Sequence, residues 1–347
     1  MRARAGIVLI AGVIAASLAC TDDPSLPGAD GTSVFSIPDQ TTGPVIIVCE
    51  EDAGLGELII CAEDYRPWRQ IFAANDTLYW LTAYAAENEG IWAAPMSGAD
   101  EPSPVLPAGL GDPSMMLVKG DYVYWVRFSQ GGRQALASDD AASYGFIADP
   151  NWYWDVDDSD LYFGTTNGIG SVPLTGGTAT FVLSDIEIDP YGVLVRVDNL
   201  LIWSSGSPND PSSLGKLWRA ELDTPAPPTT FATGLAAKPS SNMVVSGDYL
   251  YWAAAGEEFG GLIHRTARTA DGPVETLAET ESQSPEYIAA NSTHVFWVRG
   301  DRLTRASIAD GTVESLAEAD RADTTIAADE QYAYWYANNG YRRFPLP

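Results

Sequence analysis

The sequence predicts an all-β fold, a seven-bladed β-propeller whose ring is closed by an N-terminal strand that completes the last blade. Three observations point there: a hairpin pattern that recurs seven times, the length of its period, and two chain ends that each lack what the other supplies. The copies are Ala74–Trp80 (ANDTLYW), Lys119–Trp125 (KGDYVYW), Asp157–Phe163 (DDSDLYF), Val197–Trp203 (VDNLLIW), Ser246–Trp252 (SGDYLYW), Asn291–Trp297 (NSTHVFW) and Asp329–Trp335 (DEQYAYW). Their closing aromatics are separated by 45, 38, 40, 49, 45 and 38 residues, about 42 on average. Repeats of roughly 40 to 45 residues holding several short strands are the mark of propeller blades, each a four-stranded sheet.

Each unit opens with a short apolar strand, such as Met116-Leu117-Val118, Met243-Val244-Val245 or Tyr287-Ile288-Ala289. An Asx or Gly turn then reverses the chain, because these residues tolerate the positive φ of tight hairpins. The aromatic strand follows, with side chains suited to a pleated surface. Alternation sends Leu78 and Trp80 to one face and Tyr79 to the other. Both faces are apolar because a blade is sandwiched between two neighbours. A third strand recurs at Gly168–Leu174, Gly215–Arg219, Gly261–Arg265 and Asp301–Arg305, and a fourth at Ala179–Leu183, Val274–Ala278 and Val313–Ala317. Prolines 113, 190, 239 and 285 precede inner strands, where a missing N–H does no harm.

Strand counting tests the closure. After Trp335 only Tyr341–Phe344 remains to form a strand, so the seventh blade lacks its outermost member. Glu57–Ala62 precedes the first inner strand and occupies the slot of a fourth strand. Pairing the two segments joins the ends of the ring and removes an exposed edge. The repeated Tyr-Trp pair resembles the YWTD propellers of low-density-lipoprotein receptors and the bacterial propeller proteins related to them, over about residues 58–347. Those receptor propellers have six blades, and the Asp that follows Trp-Thr there is absent here, so receptor-style recognition does not transfer residue by residue.

Upstream of the repeats, Met1–Arg4 is basic and Ala5–Ala19 is apolar. Fifteen apolar residues fall short of the roughly 20 needed to span a bilayer and match a cleaved secretory signal, assigned to residues 1–19. Ser17-Leu18-Ala19-Cys20 resembles the lipobox of bacterial lipoproteins, which implies lipidation of Cys20 and residence in the bacterial cell envelope; Ser17 stands where that family prefers Leu, and Ser17-x-Ala19 also fits ordinary cleavage. Residues 20–43, rich in Asp, Pro, Ser, Thr and Gly, read as a flexible tether, and 44–347 as the propeller. Cys49 and Cys61 are then an even remainder in an exported chain, in β-rich segments joined by a Gly-containing turn, which suggests a disulfide; two buried thiols are the alternative.

Without the signal the chain carries 17 Lys and Arg against 47 Asp and Glu, a formal charge of −30. That balance argues against nucleic acid, which is bound by clustered cations. It also leaves acyl chains as the sole membrane attachment of an expected monomer. No phosphate loop, nucleophile elbow or zinc-spaced ligand set is present. The two histidines, His264 and His294, occupy positions that packing explains, so no catalytic residue is assigned. Candidate ligand-binding residues fall in two places. Trp152, Tyr153, Asp155 and Asp157 combine aromatics with acids, the mixture that stacks on sugars or coordinates calcium, and no cofactor other than calcium is expected; the competing reading is an inner strand and its turn. Glu257 and Glu258 lie in an insertion that lengthens one of the longest spans, where binding loops concentrate. The favoured function is a non-enzymatic envelope lipoprotein binding a protein, peptide or glycan. The alternative is a funnel-sited lyase or hydrolase using carboxylates and a divalent metal.

Overall fold

The computed structural model describes residues 32–39, 43–50, 53–61, 71–82, 90–98, 100–106, 113–127, 130–138, 141–145, 154–165, 167–186, 193–205, 216–224, 226–232, 239–255, 260–269, 273–280, 284–320 and 322–346. Seven antiparallel sheets follow one another along the chain, each running from an inner strand to an outer rim strand. In blade 1 the strands are Ile71–Ala74, Thr77–Thr82, Gly90–Pro95 and Ser103–Pro104. Blade 2 comprises Met115–Lys119, Tyr122–Arg127, Gln130–Ala135 and Ala141–Gly145, and blade 3 Trp154–Val156, Asp160–Thr165, Gly168–Pro173 and Thr180–Ser184. Blade 4 is built from Leu194–Val197, Leu200–Ser205, Lys216–Glu221 and Thr229–Ala232. In blade 5 Pro239–Ser246, Tyr249–Ala255, Gly261–Ala267 and Glu275–Thr280 pair in turn. Blade 6 is Ile288–Ala290, His294–Arg299, Arg302–Ser307 and Val313–Glu318.

Blade 7 takes Ala322–Ala328, Tyr332–Ala337 and Gly340–Pro345 from the end of the chain and its rim strand, Glu57–Cys61, from near the start. The closing pair is antiparallel, with Glu57 opposite Arg343, Leu58 opposite Arg342 and Cys61 opposite Gly340. The expected closure is therefore present, and packing supports it independently. Seven apolar clusters fill the seven blade interfaces, including one between blades 7 and 1 built on Ile60, Tyr334 and Tyr341 against Ile71, Leu78 and Trp80. An open row of seven sheets has six interfaces; a ring has seven.

Side-chain alternation sorts the aromatic strands between those clusters. Trp80, Trp125, Phe163, Trp203, Trp252, Trp297 and Trp335 all face the preceding blade, whereas the residues before them, such as Tyr79, Tyr124 and Tyr334, face the following one. Turn chemistry differs among the inner hairpins. In blade 1 Asn75 and Asp76 both adopt positive φ, 50° and 56°, as a two-residue turn with matching twist demands. Blades 3, 6 and 7 use a longer turn in which Asp157, Asn291 or Asp329 accepts hydrogen bonds from backbone N–H groups two and three residues on.

Two features were not foreseen. The third-to-fourth pairing slips at the same place in blades 3 to 7, where one extra rim residue, Val182, Phe231, Leu277, Leu316 or Ile59, forms a bulge. In addition, Gly177–Thr178 leaves blade 3 and pairs in parallel with Tyr144 and Gly145 on the rim of blade 2. Ahead of the ring, Thr32–Asp39 and Gly43–Glu50 pair with each other. This hairpin takes in part of the segment read as tether, with Val34, Phe35 and Ile37 opposite Val48, Ile47 and Val45. The signal segment and Cys20 lie outside the described residues. Cys61 is buried, 1 % exposed, and engaged rather than free; the side chain of Cys49 lies outside the described residues.

Candidate functional site: the axial channel

The seven inner strands are the end strands of their sheets, and all seven line one cavity of about 460 Å³ on the ring axis. The side chains that line it are mostly of apolar residues, with Ile71, Met116, Leu194, Val244 and Ile288 among them. Among the described residues that line it, charge comes from blades 2, 3 and 4. Lys119, at the end of its inner strand, donates to Asp155 Oδ1 at 2.8 Å and to the Val156 carbonyl at 2.5 Å. Asp155 also accepts from the backbone N–H groups of Val156 and Arg196, each at 2.8 Å. Arg196 places Nε 3.1 Å from Asp157 Oδ2.

Asp157 is the most heavily hydrogen-bonded carboxylate of this group. It accepts from the Ser159 N–H and hydroxyl, from the Asp160 N–H and from the Tyr162 hydroxyl at 3.0 Å. Burial alone pushes its pKa up, but these donors outweigh burial and hold it below the usual aspartate value. The same contact acts in reverse on Tyr162, whose phenol is pushed far up by burial and then by the neighbouring carboxylate. Asp155 and Asp157 thus already serve as junctions between blades, each holding a cation from an adjacent blade.

Elsewhere on the inner ring, side chains of one blade satisfy backbone groups of the next. The Asn242 amide donates to the Ile288 carbonyl at 3.0 Å and accepts from the Ile288 N–H at 2.8 Å, imitating a strand pair across the blade 5–6 gap. Ser246 donates to the Asn291 carbonyl, and Asn291 Nδ2 to the Asp329 carbonyl. End-strand groups that would otherwise lie unpaired at the axis are met in this way. The channel is consequently a partly apolar tube cross-linked between blades, and its described charges are balanced internally.

Of the sequence-derived candidates, Asp155 lines this channel and Asp157 supports its wall. Trp152, Tyr153, Glu257 and Glu258 lie outside the described residues. Lys119, Arg196 and Asn242 were not anticipated; the available signal was a cation or amide standing in an otherwise apolar inner strand. Among the described residues no group of three or more His, Cys, Asp or Glu is arranged to hold a metal ion. His264 sits away from the axis, packed at 5.6 Å on Trp252, with burial lowering its pKa.

No family model matches the chain, and no characterised protein sequence matches it. Solved structures do match. A chain of the hydrazine synthase of Kuenenia stuttgartiensis aligns with TM-score 0.58 at 11 % identity, over 80 % of this chain and 95 % of that one. A puromycin hydrolase aligns with TM-score 0.58 at 14 % identity, over 82 % of this chain and 52 % of its own. PorZ, a bacterial surface component of the type-IX secretion system of Porphyromonas gingivalis, aligns with TM-score 0.56 at 11 % identity, over 84 % of this chain. This chain spans only 39 % of PorZ. At such identities the likeness establishes the propeller fold and nothing finer.

Proposed function

We propose that this chain is an exported envelope lipoprotein whose propeller serves as a non-enzymatic scaffold for a protein, peptide or glycan. The observation that carries the scaffold reading is the channel. Its described charged groups, Lys119, Asp155 and Arg196, are tied to one another or to Asp157 across blades 2 to 4, an arrangement that holds shape rather than poising a base or nucleophile. The leader, the Ser17-Leu18-Ala19-Cys20 junction and the acidic balance support export and attachment through acyl chains. PorZ, a bacterial surface component that shares the fold over 39 % of its length, supports the envelope reading. A Cys49–Cys61 bridge belongs to the same reading, since Cys61 is buried and engaged on the closing strand. The Tyr-Trp repeat keeps its likeness to YWTD propellers as part of this proposal.

Two measurements test it. Metabolic palmitate labelling should mark the wild-type chain and not Cys20→Ser, and both should be exported. Binding screens against glycan and peptide arrays should return a ligand that the protein leaves chemically unchanged. A ligand that is cleaved or eliminated on incubation, with turnover abolished by Asp155→Asn while the fold persists, would replace the scaffold by the funnel-sited enzyme.

A further inference from the structure

We propose that the rim strand of blade 3, Thr180–Ser184, is an open sheet edge that takes up an extended, positively charged segment of a partner protein as an added strand. Rim strands present unpaired backbone groups, and a ring of blades has one at every blade; natural sheets guard such edges with charge, proline, brevity or a covering segment. Here each of the other six is guarded. Glu275 and Glu279 stand on the rim of blade 5, Glu314 and Glu318 on that of blade 6, and Glu57 on that of blade 7. Blade 1 ends in a two-residue strand closing on Pro104, blade 4 in a four-residue strand entered through Pro227 and Pro228, and the rim of blade 2 is covered by Gly177–Thr178. Thr180-Phe181-Val182-Leu183-Ser184 has no charge, no proline and no covering strand among the described residues.

Its apolar side chains are in solvent as well. Phe181 is 45 % and Val182 36 % exposed, two of four large hydrophobics so exposed among the described residues. Val182 is a bulge residue, and its counterparts in blades 4 and 7, Phe231 and Ile59, are 3 % and 5 % exposed. The contrast has a structural cause. In blades 1, 3 and 6 the turn between the third and fourth strands lies against the rim of the blade before it, and a glycine permits the approach. Gly98 of blade 1 reaches the Ile59 carbonyl, where a Cβ would stand 3.1 Å away, Gly176 of blade 3 reaches that of Ser143, and Gly311 of blade 6 that of Leu277. The corresponding turn of blade 4, Asp223-Thr224-Pro225-Ala226-Pro227-Pro228, contains no glycine. Among the described residues no glycine of the blade 4 turn approaches the blade 3 rim, and although Leu183 packs beside Leu222 of blade 4, Phe181 and Val182 stay exposed.

Charge selects the occupant. The chain carries a formal charge of −28, so a second copy approaches against repulsion, whereas a basic segment is attracted. The strand itself has no charge to desolvate, and exposed Asp185 stands at its end. A partner strand with alternating apolar residues and Lys or Arg would pair its backbone with the rim, set apolar side chains against Phe181 and Val182, and bring a cation to Asp185. This inference rests on the scaffold reading and adds where one ligand docks and what chemistry it has.

The test uses the purified full chain and a fluorescein-labelled peptide, Lys-Val-Thr-Val-Lys-Val-Thr, with a counterpart in which Glu replaces Lys. The double variant Phe181→Lys, Val182→Lys guards the edge at two exposed positions, and an unchanged melting temperature verifies its fold. Fluorescence anisotropy should show micromolar binding of the basic peptide to wild type, weakened about tenfold or more in the variant, with no binding of the acidic peptide. Equal binding of the basic peptide by both proteins would reduce the effect to general attraction by an acidic surface and overturn the proposal, as would no binding at all. A wild-type dimer that the variant dissolves would assign the edge to a second copy instead. A channel ligand found by array, bound equally by both proteins while the peptide fails, sinks the rim proposal and leaves the scaffold reading standing.

Discussion

Replacing Arg343 with alanine tests the ring closure most directly, because this one side chain touches two segments, at Glu57 and Met96, that only closure brings to it. Its Nε and Nη2 donate to the two carboxylate oxygens of Glu57 at 2.8 Å, its Nη1 donates to the Met96 carbonyl of blade 1 at 3.0 Å, and its guanidinium lies 4.8 Å from the Tyr332 ring centroid. Glu57 is 60 % exposed, so the ion pair contributes only about 0.5 kcal/mol. The cation–π contact adds about 0.5–1 kcal/mol, and a charged donor on a part-buried carbonyl about 1–1.5 kcal/mol. Arg343→Ala should therefore destabilise by about 2–3 kcal/mol, against about 0.5 kcal/mol for Glu57→Gln. Urea unfolding followed by tryptophan fluorescence measures both, provided the slope m is unchanged. If the two variants lose the same amount, or Arg343→Ala loses under about 0.5 kcal/mol, the contact to Met96 does not clamp the ring and the reasoning fails. Arg265 repeats the arrangement across blades 5 and 6, stacking on Tyr249, pairing with Glu275 and donating to the Ile308 carbonyl at 2.6 Å. Its alanine variant should match Arg343→Ala within the error of non-additive neighbours.

Further expectations follow from single positions. Gly311→Ala should cost about 1–3 kcal/mol, because φ is +73° and a Cβ meets the Leu277 carbonyl; thermal unfolding reads the loss, and a neutral result would mean the turn does not rest on the blade 5 rim. Asp157→Asn should flatten the acid limb of stability. The folded-state pKa is held below the unfolded one, so the carboxylate's contribution is complete above the ordinary aspartate range and is lost as pH falls through the folded value. Melts between pH 3 and 7 that retain the full wild-type slope in the variant contradict this. His264 is buried with a lowered pKa, so the unfolded chain takes up a proton that the folded one resists. Stability is steady above the ordinary histidine value and declines as pH drops below it, until the lowered folded value is reached. His264→Gln should remove that decline, which a stability profile from pH 4 to 8 would detect.

Local chemistry made the blades legible in the sequence. Asn75-Asp76, Gly120-Asp121 and Gly247-Asp248 announce two-residue turns, and the alternating aromatics after them leave one consistent strand register. Closure was legible too, since Tyr341–Phe344 lacked a partner strand and Glu57–Ala62 lacked a sheet. Neither the Lys119–Asp155 contact nor the Arg196–Asp157 contact could be read that way. Those partners lie 36 and 39 residues apart and meet only because inner strands of successive blades converge on the axis. Arg343 and Met96, separated by nearly the whole ring, present the same problem at larger scale.

By itself, then, the amino-acid order determined the number of blades, their turns, which face each aromatic presents, and how the ring ends meet, because hairpins are governed by φ preferences and alternation over a few residues. The tertiary structure alone decided which charges neutralise each other in the channel, which arginines clasp neighbouring blades, and which rim is left bare. Those outcomes depend on the distance between one sheet and the next, and a glycine or a proline run in a turn reveals its consequence only once another blade's backbone lies beneath it.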